Sequence, residues 1–182
     1  MIIAVILIAF IILWFVFIYN RFIKQKNIVR EAWSGIDVQL KRRYDLIPNL
    51  VDTVKGYSNY EKDLLQKITS QRTKTMQINS PGEKAQPESE LSGMLKNLFA
   101  VVENYPDLKA NQNFLKLQEQ LTEVEDQIQF ARRYYNGAVR DYNTQVESFP
   151  SNIIALVFNF KKEEFFEISL ATERDTPKVG LS

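Results

Sequence analysis

Hydrophobic positions along this chain follow two patterns. From Ile2 to Tyr19 all 18 residues are apolar or aromatic, without a charge or an amide. As a helix such a run reaches about 27 Å, close to the hydrocarbon thickness of a bilayer. Trp14 and Tyr19 suit the interface near the end of the run. A cleaved signal peptide is the alternative; it carries basic residues ahead of a shorter apolar core and small residues at the cut. No Lys or Arg precedes this run, and Asn20, Arg21, Phe22 and Ile23 follow it, so an uncleaved transmembrane anchor over 1–20 is expected.

Beyond the anchor the apolar residues recur at helical spacing. Val29, Trp33, Ile36, Leu40, Ile47, Leu50 and Val54 lie on steps of three and four, with Arg43 occupying one step. Such a stripe faces other helices. Helix one is therefore expected to run from the membrane into the domain, kinked at Pro48 and ended by Gly56. Ser58 to Glu61 has capping-box spacing, and helix two carries Leu64, Leu65, Ile68 and Met76. Residues 79–90, NSPGEKAQPESE, read as a loop or a broken helix, and helical character resumes over Leu91 to Glu103. NYPDLKAN, 104–111, reads as a turn with Asn111 as the next cap.

Helix three is the clearest element. Phe114, Leu117, Leu121, Val124, Ile128, Ala131, Tyr135, Ala138 and Tyr142 alternate steps of three and four without a miss, up to Pro150. Glu119, Asp126, Arg133, Arg140 and Glu147 recur every seven residues on the other side, as a wet face. SNIIALVFNF, 151–160, is too short to span a bilayer. With Phe165 and Phe166 it reads as a short helix plus an irregular arm. Ile153, Ile154, Leu156, Val157, Phe158, Phe160, Phe165 and Phe166 pack on the bundle or form an exposed patch for a partner or a lipid surface. Counting three long helices outward, back and outward again puts the 104–111 turn near the bilayer and Phe149-Pro150 at the far end. The expected fold is all-α: an anchor, then an up-and-down antiparallel bundle of three to four helices over 21–170, then a loose tail at 171–182.

Charge orients the anchor. Arg21, Lys24, Lys26 and Arg30 follow the span, so the positive-inside rule predicts a cytoplasmic bundle with the N-terminus outside. These four also sit beside anionic headgroups. The 182 residues hold 23 Lys and Arg against 22 Asp and Glu, a net charge of +1 that argues against nucleic acid as a partner. Neither His nor Cys occurs, which removes Ser-His and Cys-His catalysis and every metal motif built on those ligands.

The segments VQLKRRYDLIPNLV (38–51), LFAVVENYPDLKANQNFLKLQEQL (98–121) and ARRYYNGAVRDYN (131–143), followed by Phe149-Pro150, closely resemble the LemA family of bacterial membrane-anchored helical proteins. The resemblance covers essentially everything after the anchor. It implies one N-terminal transmembrane helix and a cytoplasmic antiparallel bundle, without a well-established activity. The chain departs at 79–90, where Pro81, Gly82 and Pro87 interrupt what looks more continuous in relatives.

Candidate chemistry is sparse. Arg43 stands where the stripe calls for an apolar residue, so it must be paired or reach water. Glu103, Glu125 and Asp126 are candidate partners, in a structural ion pair or a conformational switch. Asn136 and Asn143, each preceded by Tyr, are one heptad apart and suited to bridging a neighbouring helix or chain. Gly35 and Gly137, mid-helix, suggest close helix approach. Glu119, Glu123 and Asp126 share a helix side but point away from the apolar stripe, so no metal is expected. No phosphate loop occurs, and no cofactor is expected. The sequence points to a non-enzymatic scaffold or adaptor, with the lipid bilayer and a protein partner or a second copy as its contacts. A self-assembling, membrane-organising homo-oligomer is the alternative.

Overall fold

A computed structural model describes residues 1–56 and 62–167. The Ser58–Glu61 capping box and the 171–182 tail lie outside the described residues. Helix α1 is continuous over Ile2–Lys55, about 81 Å of rod. The others are α2 (Lys62–Met76), α3 (Pro81–Val102), the single turn α4 (Pro106–Lys109), α5 (Gln112–Glu147) and the short α6 (Ser151–Val157). The described residues contain no strand.

The apolar stripes meet as expected. Ile36, Leu40, Ile47, Leu50 and Val54 of α1 are buried, with Leu121, Val124, Ile128, Tyr135 and Tyr142 of α5. Glu119, Asp126, Arg133, Arg140 and Glu147 are exposed. The pair is antiparallel. Arg43 meets Glu125, Trp33 meets Tyr135 at 5.5 Å between rings, and Phe22 meets Tyr142 at 6.3 Å. Asn111 caps α5, its side chain accepting from the N–H groups of Asn113 and Phe114 at 2.9 and 3.1 Å.

Pro48 leaves α1 unbroken. Its ring nitrogen cannot donate to the carbonyl of Tyr44, one turn back. Arg72 of α2 fills the vacancy, donating from Nε to that carbonyl at 2.7 Å. A sequence defect in one helix thus becomes a docking point for another. Gly56 is the C-cap of α1 in a right-handed conformation.

Three expectations are corrected. Residues 81–90 are helical, because Pro81 opens α3 at a position that needs no N–H and Pro87 lies inside it. Only 77–80 separate α2 from α3, so the two form a hairpin. That extra reversal inverts the count of directions. The 104–111 turn lies at the end distant from the apolar span, and α5 returns toward the span, bringing Phe149-Pro150 and α6 beside it. Second, a Cβ at Gly35 or Gly137 would meet nothing within 4 Å, so neither marks a close helix approach. Third, Met76 is exposed at the end of α2 and contributes little to the core.

Candidate functional site

Two polar constructions stand out, both inside the bundle. The first is centred on Arg43, which is only 1% exposed. Its Nη1 donates to Glu125 Oε2 and to Ser92 Oγ, each at 2.7 Å, while Nη2 pairs with Glu88 of α3. Tyr44 Oη donates to the other oxygen of Glu88, and Ser92 Oγ reaches Glu125 at 3.1 Å. One guanidinium thus ties α1 to α3 and α5 at a single level. Arg supports this because its planar fork holds several acceptors at once. Burial pushes the Tyr44 phenol well above its ordinary pKa, and the Glu88 carboxylate pushes it the same way.

A cavity of about 320 Å³ opens beside the cluster, lined by Arg43, Glu88, Gly93, Lys96, Glu125 and Arg132 among others. Its charges are mixed and largely spent on one another. Among the described residues no three His, Cys, Asp or Glu side chains gather as metal ligands.

Of the residues the sequence offered for this network, Glu125 joins Arg43. Glu103 does not. It is the exposed C-cap of α3, about 22 Å of helix beyond Glu88. Asp126 faces outward. Glu88 went unnoticed because it lies in the stretch read as a loop. The spacing of Ser80, Pro81 and Glu83 marks a helix start and would have exposed it.

The second construction is a latch. Asn143 donates from Nδ2 to the carbonyl of Glu163 and accepts the N–H of Glu163, both at 2.9 Å. Asn136 makes the same pair with Phe166, at 3.2 and 2.9 Å. Seven residues of α5 rise about 10.5 Å, and three residues of extended chain cover about 10 Å. One heptad of helix therefore matches three residues of arm, and the two amides read the arm's backbone rather than a helix. Tyr135 Oη adds a bond to the carbonyl of Glu164 at 2.7 Å. Burial raises that phenol to about 12, with the Glu163 and Glu164 charges adding to the effect. Glu164 of the arm meets the tip of the α2–α3 hairpin, where Ser80 Oγ donates to its carboxylate at 2.9 Å.

The apolar arm is consequently divided. Ile154 and Phe166 are buried, and Phe160 and Phe165 are half-buried. Phe160 stacks on Phe22 at 4.7 Å, and Phe166 meets Trp33 at 5.8 Å. Ile153, Leu156, Val157 and Phe158 are exposed. Near the span, Tyr19 packs on Phe158 at 4.8 Å, and Trp14 is half-buried against Phe15. Arg21, Lys24 and Arg30 are exposed, while Lys26 reaches Glu163 at 4.0 Å.

Fold and site define a class: a helical bundle carried on one long helix whose N-terminal stretch is apolar enough to cross a membrane. Within that class the chain belongs to the LemA family, whose pattern matches residues 32–180. Protein LemA of Metamycoplasma hominis is 30% identical over 163 residues, covering 85% of this chain and 73% of that protein. Magnetosome protein MamQ 2 of Paramagnetospirillum magneticum is 25% identical over 187 residues, covering 88% of this chain and 68% of the relative. MamQ of Magnetospirillum gryphiswaldense is 21% identical over the same length.

Proposed function

We propose that this protein is a non-enzymatic, membrane-anchored scaffold whose bundle stands on the cytoplasmic face. The observation that carries this reading is the continuity of α1 over Ile2–Lys55. Any part bound to the bundle is then held at a fixed height above the bilayer by one rigid rod. The four basic residues after the span support the cytoplasmic orientation. The charged groups of the interior support a structural role, since Arg43, Glu88 and Glu125 are engaged with one another. The names of the relatives, LemA and magnetosome protein MamQ, denote no reaction. The test is crosslinking in native membranes followed by identification of attached proteins. A reproducible set of partners meets the expectation; recovery of this chain alone rejects the adaptor role.

A second reading, self-assembly, is favoured by one feature. Phe130 and Tyr134 are each 59% exposed and one turn apart on α5. Mass photometry in detergent tests it, and a monomer at every concentration rejects it.

A further inference from the structure

The position of α6 relative to the apolar stretch of α1 has a consequence for the membrane. Every residue from Ile2 to Leu13 is exposed, and cover over α1 begins at Trp14. Ile18 is buried, and Phe158 closes over Tyr19. A small cleft of about 210 Å³ between them is lined by Phe15, Val16, Tyr19 and Phe158. The bundle therefore overlaps the last turns of the span.

That overlap fixes depth. If the bilayer ended below the cover, the span would be residues 2–13, about 18 Å of helix against about 30 Å of hydrocarbon. The membrane needs residues 14–19 as well, and α6 lies beside them. Trp14 to Tyr19 covers about 7.5 Å, within the roughly 5–10 Å to which interfacial helices sink.

The chemistry of α6 agrees with that depth. No charged residue occurs from Phe149 to Phe160. Ile154 and Ala155 face the bundle, while Leu156 is 84% exposed and Phe149 80% exposed, with Ile153, Val157 and Phe158 also outward. Arg21, Lys24 and Lys161 are exposed at the same end of the bundle. An uncharged apolar face at the level of exposed cations matches acyl chains under anionic headgroups.

We propose that α6 is a second membrane contact, a short helix laid into the leaflet nearest the bundle, with lipid acyl chains covering Phe149, Ile153, Leu156 and Val157. It rests on the anchor reading above. The latch of Asn136 and Asn143 on the arm then holds the wedge at the depth of the span's end. Insertion into one leaflet only makes the attachment sensitive to bilayer curvature.

The chain has no Cys, so single reporters are unambiguous. Full-length Leu156→Cys, Leu13→Cys and Asn97→Cys proteins, each carrying an environment-sensitive fluorophore, are reconstituted in phosphatidylcholine–phosphatidylglycerol vesicles. Lipids with nitroxides high or low on the acyl chain serve as quenchers. The expected result is blue-shifted emission at Leu156 quenched most by the high nitroxide, quenching at Leu13 by the low one, and none at Asn97. Quenching at Leu13 with aqueous emission at Leu156 overturns the wedge and leaves the anchor standing. Aqueous emission at both sites overturns the anchor itself and the wedge with it. Blue-shifted emission at Leu156 that lipid nitroxides do not touch, and that fades as the protein is diluted in lipid, overturns the proposal in favour of a second copy on this face.

Discussion

Arg43 and Glu88 are 45 positions apart in sequence and form an ion pair inside the bundle, 1% and 4% exposed. Glu88 depends on that pairing, while Arg43 also holds Glu125. Truncating Arg43 strands Glu88 in a medium that solvates it poorly, at a cost of about 3–5 kcal/mol. Arg43→Met is therefore expected to lower the unfolding midpoint strongly, followed by circular dichroism of the full chain in detergent. Arg43→Met with Glu88→Met is expected to recover much of that loss, since two apolar side chains need no pairing. A double variant as unstable as the single one rejects the pairing account.

Pro48 and Arg72 form a compensated defect. Removing Arg72 leaves the Tyr44 carbonyl without its charged donor, worth about 1.5–3 kcal/mol. In a Pro48→Ala background the helix supplies its own donor, so Arg72→Met is expected to cost measurably less. A double-mutant cycle of thermal midpoints checks this, and purely additive effects contradict it.

The latch is testable one amide at a time. Asn143→Ala removes both hydrogen bonds to Glu163. At about 1 kcal/mol per bond, exchange of the Glu163 amide proton is expected to speed roughly 30-fold. Asn136→Ala is expected to do the same at Phe166, with the α1–α5 core amides unchanged. Hydrogen exchange resolved by mass spectrometry reads both.

Alkaline pH weakens the same region. Tyr135 ionises near 10 when unfolded but at about 12 in the fold. Between those values the unfolded chain has released a proton that the folded chain retains, so stability falls as pH rises across that window. Below pH 10 this contribution is fully present. Tyr135→Phe is expected to flatten the decline, and a phenolate absorbance titration locates the step. An unchanged slope in the variant assigns the decline elsewhere.

How much of this was legible from residues varies by element. Helix α5 was readable because nine residues from Phe114 to Tyr142 lie on one face, and a 3.6-residue period leaves few alternatives. The Asn111 cap was equally local. The hairpin was obscured because Pro81 and Pro87 read as breakers. One is at a helix start, where proline costs nothing, and the other lies within the helix. Missing that four-residue turn reversed the predicted course of every later element. Asn136 and Asn143 are unusual inside a helix, but their partner is backbone, which leaves no mark in the arm's side chains.

By itself the sequence determined that the chain is helical, that an apolar run opens it, that α1 and α5 each present one apolar stripe, and that Arg43 needs a partner. These are properties of period and composition, carried by neighbouring residues. Only the tertiary structure decided that Glu88 joins Glu125 in pairing with Arg43, that α5 returns toward the apolar span, and that α6 lies beside its last turns. Each depends on which helix ends share a level, and that is set by the number of chain reversals and by packing across the bundle, over separations that local pattern does not encode.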